Sequence, residues 1–235
     1  MRWLAIAASL LLLAGCSGQS RQGTAAKPTD IRIADAAMAN GLPQSALQVT
    51  RDILQTDPNN VPALLRQGDA LAQMGRPDAA GEAYGRALVA APRSLEALRG
   101  LGRVSLATGE TKQAETHFRK ALEIAPNDPA ALNNLGIALD LQERHDEAQH
   151  AYQSALAHRP DMRAAQVNLG LSLALGGAAD QALSILRPLA DDPTANNKIR
   201  QNLAVALALA GDKAEADKVL RAEMRNDEVA AALAG

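Results

Sequence analysis

Residues 129–162 read PAALNNLGIALDLQERHDEAQHAYQSALAHRPDM, and this 34-residue stretch decides the fold. Carried along the 235-residue chain at a step of 34, it superposes on itself. One column is alanine at every step: Ala46, Ala80, Ala114, Ala148, Ala182 and Ala216. A second is small throughout, with Ala34, Gly68, Gly102, Gly136, Gly170 and Ala204. Pro58, Pro92, Pro126 and Pro160 form a third. Tyr84, Phe118 and Tyr152 share a fourth, which accounts for every aromatic side chain except Trp3. Self-similarity at this period is the signature of stacked helical units, none of which can bury its apolar face alone.

The unit predicts two antiparallel helices. Leu132, Leu135 and Leu139 lie at i, i+3 and i+7, the buried stripe of an amphipathic helix. Gly136 on the first helix lets the second approach, and Ala148 on the second lets the next unit approach; anything larger would overpack the contact. Gly41, Gly75, Gly109, Gly177 and Gly211 fall in the turn between the helices, where a left-handed terminus favours glycine. Pro43 and Pro77 follow that turn at a helix start. The column prolines end each second helix. Alanine and leucine dominate the composition, and no strand is expected.

This pattern resembles the tetratricopeptide repeat, W-x2-L-G-x2-Y, then A-x3-F, then P. Leu132 stands for the tryptophan, Leu135-Gly136 for the Leu-Gly pair and Leu139 for the tyrosine. Ala148, Tyr152 and Pro160 match the remaining positions. The resemblance implies an all-α fold, a right-handed superhelical solenoid of about six helix-turn-helix repeats. These run over 27–60, 61–94, 95–128, 129–162, 163–196 and 197–228, with 229–235 as a C-terminal cap. The outer copies depart from the pattern. Asp30 and Thr50 stand where apolar residues are expected, and Pro188 inside a second helix should kink or shorten it.

The start of the chain sets the compartment. Leu4 to Ala14 is apolar except for Ser9, and follows the single charge of Arg2. That is the h-region of a signal peptide, 1–15, too short to span a bilayer as a mature helix. Leu13-Ala14-Gly15-Cys16 resembles a bacterial lipobox, which implies that Cys16 is the lipidated residue. Residues 16–26, rich in Ser, Gln and Gly, then read as a flexible tether. Ser17 rather than Asp after the cysteine points to the outer membrane, facing the periplasm. Cys16 is the sole cysteine, so no internal disulfide framework exists.

Without the signal, 23 basic residues face 26 acidic ones, a formal charge of -3. The charges are interspersed, which leaves no footprint for nucleic acid. His117, His145, His150 and His158 read as exposed helix residues with no metal-ligand spacing. No nucleophile motif or glycine-rich phosphate loop is present, so neither an enzyme, a cofactor nor a small-molecule substrate is expected.

A groove for protein partners is the remaining possibility. In tetratricopeptide arrays the first helices line the concave side, and the residue two before the column glycine faces it. Here that position holds Arg32, Arg66, Gly100, Asn134, Asn168 and Asn202, with Asn133, Arg99, Arg103, Asp69 and Asp140 beside it. The asparagines resemble the ladder by which superhelical arrays hold a peptide backbone, since a carboxamide both donates and accepts. The alternative is that they are local scaffold. The lipoprotein start, six repeats and the ending from Lys198 to Met224 together resemble the TadD-type lipoproteins of tight-adherence (Flp) pili. That resemblance implies a scaffold for the pilus secretin or other parts of the machine. A general envelope adaptor, for example one recruiting peptidoglycan enzymes, is the other reading.

Overall fold

The computed structural model describes residues 30–221. The signal segment, Cys16, the tether and the 229–235 cap lie outside the described residues. Eleven helices follow one another: α1 (Ile31–Ala39), α2 (Pro43–Thr56), α3 (Val61–Gln73), α4 (Pro77–Ala90), α5 (Leu95–Ala107), α6 (Thr111–Ile124), α7 (Pro129–Asp140), α8 (His145–His158), α9 (Arg163–Leu175), α10 (Ala179–Asp191) and α11 (Asn197–Leu209). A twelfth, α12, covers residues 213–221. The described residues contain no strand, and the architecture is an all-α repeat solenoid.

Each helix boundary has a local cause. Asp30, Asn60, Ser94, Asp128 and Asn196 cap α1, α3, α5, α7 and α11, each side chain accepting a hydrogen bond from a first-turn backbone N–H. That satisfies donors a helix start otherwise leaves open. Pro43 and Pro77 occupy the first positions of α2 and α4. Between the helices of each pair one bond recurs six times. The N–H of Leu42, Arg76, Glu110, Arg144, Ala178 and Asp212 each reaches the carbonyl five residues back. This 6→1 bond needs a left-handed residue just before it. Five of the six sites are glycine, with φ from 68° at Gly41 to 91° at Gly211. The fourth is Glu143 at φ 61°, which takes the same conformation without glycine's freedom.

Packing explains the columns. A Cβ on Gly68, Gly102, Gly136 or Gly170 would sit 2.5–2.6 Å from the nearest atom of Tyr84, Phe118, Tyr152 or Leu186, on the second helix of the same repeat. The first repeat compensates from the other side. It carries Ala34 in the glycine column and Thr50 in the aromatic one, both wholly buried. The Thr50 hydroxyl donates to the Leu47 carbonyl at 3.0 Å, so the polar group costs little where an apolar one was expected. The alanine column from Ala46 to Ala182 is fully buried, and Ala216 nearly so.

Pro188 does not break α10, which continues to Asp191. The helix has 13 residues where α2, α4, α6 and α8 have 14, and it stops at Asp192, which is extended and precedes Pro193. The odd-numbered helices touch in succession, α1 to α3 and onward to α11, whereas no two even-numbered helices from α2 to α10 meet. The odd helices therefore line the inside of the curve.

Candidate partner-binding groove

The inner face is formed by one surface of α1, α3, α5, α7, α9 and α11, and its two halves differ in chemistry. In the first half, charges cross from repeat to repeat. Arg66 pairs with Asp35, Asp69 and Glu96, on α1, α3 and α5. Arg103 reaches Asp69 Oδ1 at 3.1 Å and the Tyr84 hydroxyl at 3.3 Å. The Tyr84 hydroxyl itself donates to Asp69 at 2.6 Å. Burial, reinforced by that carboxylate, pushes the Tyr84 phenol well above its ordinary pKa. Arg99 pairs with Asp128, the cap of α7, at 3.1 Å. Arg32, by contrast, is highly exposed and bonds only Asp30 on its own helix start. The basic residues read from the sequence as groove contacts thus hold neighbouring repeats together, Arg32 excepted.

The asparagines fall in the second half. Asn168 Nδ2 donates to Asn133 Oδ1 on the preceding repeat at 3.0 Å, and Asn133 Nδ2 donates to Asn134 Oδ1 at 3.2 Å. These three carboxamides form one chain across α7 and α9. Asn133 is buried, whereas Asn134 and Asn168 are half-buried and retain bonding capacity. Asn202 is also buried, and its Nδ2 has no partner. Where Asn168 has Asn133 one repeat back, Asn202 has Val167, which accepts nothing. Gly100, at the equivalent position in α5, is buried rather than open to the groove, since a Cβ there would sit 2.5 Å from the Tyr84 ring. The column is therefore not a uniform row of exposed side chains.

A cleft of about 440 Å³ opens in this half between α7, α9 and α11. Ile137, Val167 and Ile199 form its apolar wall, and Asn133, Asn168 and Lys198 its polar rim. Arg163 also borders it, with its guanidinium held by Asp192, Thr194 and the Leu189 carbonyl at 3.0–3.1 Å. The sequence reading singled out neither Arg163 nor Lys198, because their repeat positions hold unlike residues elsewhere. Another missed feature does follow the 34-residue step: Leu141, Leu175 and Leu209 share one repeat position and stand roughly half exposed, at 58%, 47% and 53%.

Asp140 is consumed by structure. Its Oδ1 accepts from the Ser172 hydroxyl at 2.7 Å and lies 2.9 Å from His145 Nδ1, while Oδ2 accepts from Tyr152 at 2.9 Å. The knot ties α7 to α8 and α9. Ser172 is wholly buried and donates to the carboxylate, not to the histidine, so it is no activated nucleophile. His145 and His117 are half-buried, not exposed as the sequence suggested. Burial lowers the His117 pKa, and nearby Lys120 adds to the effect. Among the described residues no three His, Cys, Asp or Glu side chains are grouped to hold a metal.

Paired helices at a fixed step, with one continuous inner face and no assembled reaction centre among the described residues, define a helical-repeat scaffold for protein–protein interaction. Three family models described as tetratricopeptide repeat match residues 37–88, 65–129 and 117–150, so residues 37–150 are an array of tetratricopeptide repeats. No curated protein sequence matches it. Among solved structures it is similar to MamA at 25% identity, TM-score 0.58, covering 78% of this chain and 97% of that one. It is similar to a tetratricopeptide repeat protein from Parabacteroides merdae at 17% identity, TM-score 0.70, covering 83% and 77%. Pseudomonas aeruginosa pilF aligns at 16% identity, TM-score 0.68, covering 80% and 86%. The last two likenesses are of fold.

Proposed function

We propose that the protein is a lipid-anchored outer-membrane scaffold, facing the periplasm, that holds a protein partner in its concave groove during assembly or localisation of a Tad/Flp-type pilus secretion machine. The observation that carries the binding reading is the second half of the inner face. There an open cleft, half-buried carboxamides and exposed leucines stand together on the first helices of three successive repeats. The first half satisfies its charges internally, so the second is where a partner gains most. The anchor rests on Leu13 to Cys16, and the pilus role on the Lys198 to Met224 resemblance. The pilF likeness adds fold alone.

The test is photo-crosslinking in cells, with a photoreactive residue placed at Asn168 in the groove or at Val89 on α4, which is 84% exposed. Capture of the secretin or another pilus component from position 168, and not from 89, is the expected result. Peptidoglycan enzymes captured there would favour the general adaptor, and cross-links from position 89 alone would refute the groove. The anchor is tested by Cys16→Ser, expected to leave the outer-membrane fraction; unchanged sedimentation refutes it.

A further inference from the structure

The residues one and five positions after the glycine column lie on one face of each first helix, as i and i+4 neighbours do. In repeats one to three these positions carry Asp35 and Ala39, Asp69 and Gln73, Arg103 and Ala107. In repeats four to six all six are apolar: Ile137 with Leu141, Leu171 with Leu175, Val205 with Leu209. Leu141, Leu175, Val205 and Leu209 are between 40% and 58% exposed. Ile137 also lines the cleft, so this grid and the cleft form one surface. A folded chain gains nothing from six apolar side chains on its concave face unless something covers them.

Spacing and charge say what. Packed helices lie about 8–10 Å apart, so the three apolar pairs repeat across the groove at about that interval. Two turns of an α-helix advance about 10.8 Å. A strand returns a side chain to the same face every 6.6–6.8 Å or so, and about 10 Å along it the side chain points away. A helix with an apolar residue every seven positions therefore meets all three pairs in turn, and a strand does not. Lys198, on the cleft's rim, is exposed and has no ion-pair partner among the described residues. The Asp192 carboxylate is taken: it pairs with Arg163, which borders the same cleft.

We infer that the concave face of repeats four to six takes an amphipathic α-helix of a partner protein, with apolar residues at a seven-residue step seated on the Ile137–Leu209 grid and an acidic side chain paired with Lys198. This rests on the groove reading above and names its ligand.

The probes are two synthetic peptides of one composition, leucine and glutamate with alanine. One places leucines every three and four residues, as a helix face requires. The other alternates them, as a strand requires. Each is titrated by fluorescence anisotropy against the full mature chain, wild type and Leu175→Ser/Leu209→Ser. Those two side chains are half exposed already, so an unchanged melting curve is expected. Covering their remaining surface makes the double change worth about a ten- to hundredfold loss of affinity. The helical peptide should bind at least tenfold tighter than the alternating one, and Lys198→Glu should weaken it. Equal binding of the two peptides overturns the helix. Indifference to the leucine change overturns this face. Removal of residues 222–235 that unmasks much tighter binding assigns the grid to the chain's own tail, and concentration-dependent dimerisation blocked by the leucine change assigns it to a second copy; either overturns the proposal. If position 168 still cross-links a partner while the helical peptide fails, the groove stands and the helix falls; if both fail, the groove falls too.

Discussion

Gly136→Ala tests the packing logic on which the repeat depends. The added Cβ would lie 2.5 Å from Cε1, 2.7 Å from Cζ and 2.8 Å from Cδ1 of Tyr152. These are ring atoms of a side chain 1% exposed, and its hydroxyl is fixed to Asp140 at 2.9 Å. The ring has no free direction, so it must shift and strain that bond. Overpacking of this kind costs about 1–3 kcal/mol. Against it stands the helix preference of alanine over glycine, about 0.8–1.0 kcal/mol. The clash outweighs it, and the net loss is about 0–2 kcal/mol. Gly85→Ala is the matched control. Gly85 lies inside α4 with nothing within 4 Å of an added Cβ, so only the propensity term operates and stability rises by about 0.8–1.0 kcal/mol. Urea denaturation of the mature chain, followed by far-UV circular dichroism, should move the two midpoints in opposite directions. The natural pair Ala34–Thr50 supplies a second check: Gly136→Ala combined with Tyr152→Thr should cost less than the sum of the single changes. Midpoints that shift together, or strict additivity in the double variant, would refute the reasoning.

Three further outcomes are expected. Glu143→Gly should stabilise by up to about 1.6 kcal/mol, because relief of the left-handed strain, about 1–2 kcal/mol, exceeds the unfolded-state entropy glycine adds, about 0.4–1 kcal/mol. Gly177→Ala, at φ 88° with open space around it, should destabilise for the reverse reason, and thermal melts of the two variants read the sign. Glu115 sits 2.7 Å from Arg144 on the next repeat, with Gln142 and Arg119 also bonded to it. Partial burial opposes its charge, but these three bonds outweigh it and hold its pKa below the ordinary value of 4.5. A depressed acid contributes stability above that value and loses it as pH falls through the folded pKa. Glu115→Gln should therefore destabilise at neutral pH, and the gap from wild type should narrow as pH falls below 4.5 in denaturation series at stepped pH.

The sequence by itself determined the period, and through it the helix pairs, the glycine turns and the buried alanine column. Each of these is a short-range demand that recurs at every step, such as a left-handed residue at Gly177 or room for a ring at Gly136. The groove was legible only as a set of positions. Repeat spacing does not say whether Arg66 meets a partner molecule or Asp35 and Glu96, because those acids lie 30 or 31 residues away and arrive only when the helices stack. Nor does it say that Asn133 binds Asn168 while the Asn202 Nδ2 is left without a partner. Gly100 shares a column with the asparagines, yet the Tyr84 ring of the preceding repeat buries it. The step of 34 also ran through Leu141, Leu175 and Leu209, but a leucine in a helix reads as core until its exposure is known. Which face of each first helix stays open depends on how successive pairs rotate against one another, and that rotation is a sum of contacts between repeats. The tertiary structure alone decided that three leucines in register are left uncovered on the inside of the curve.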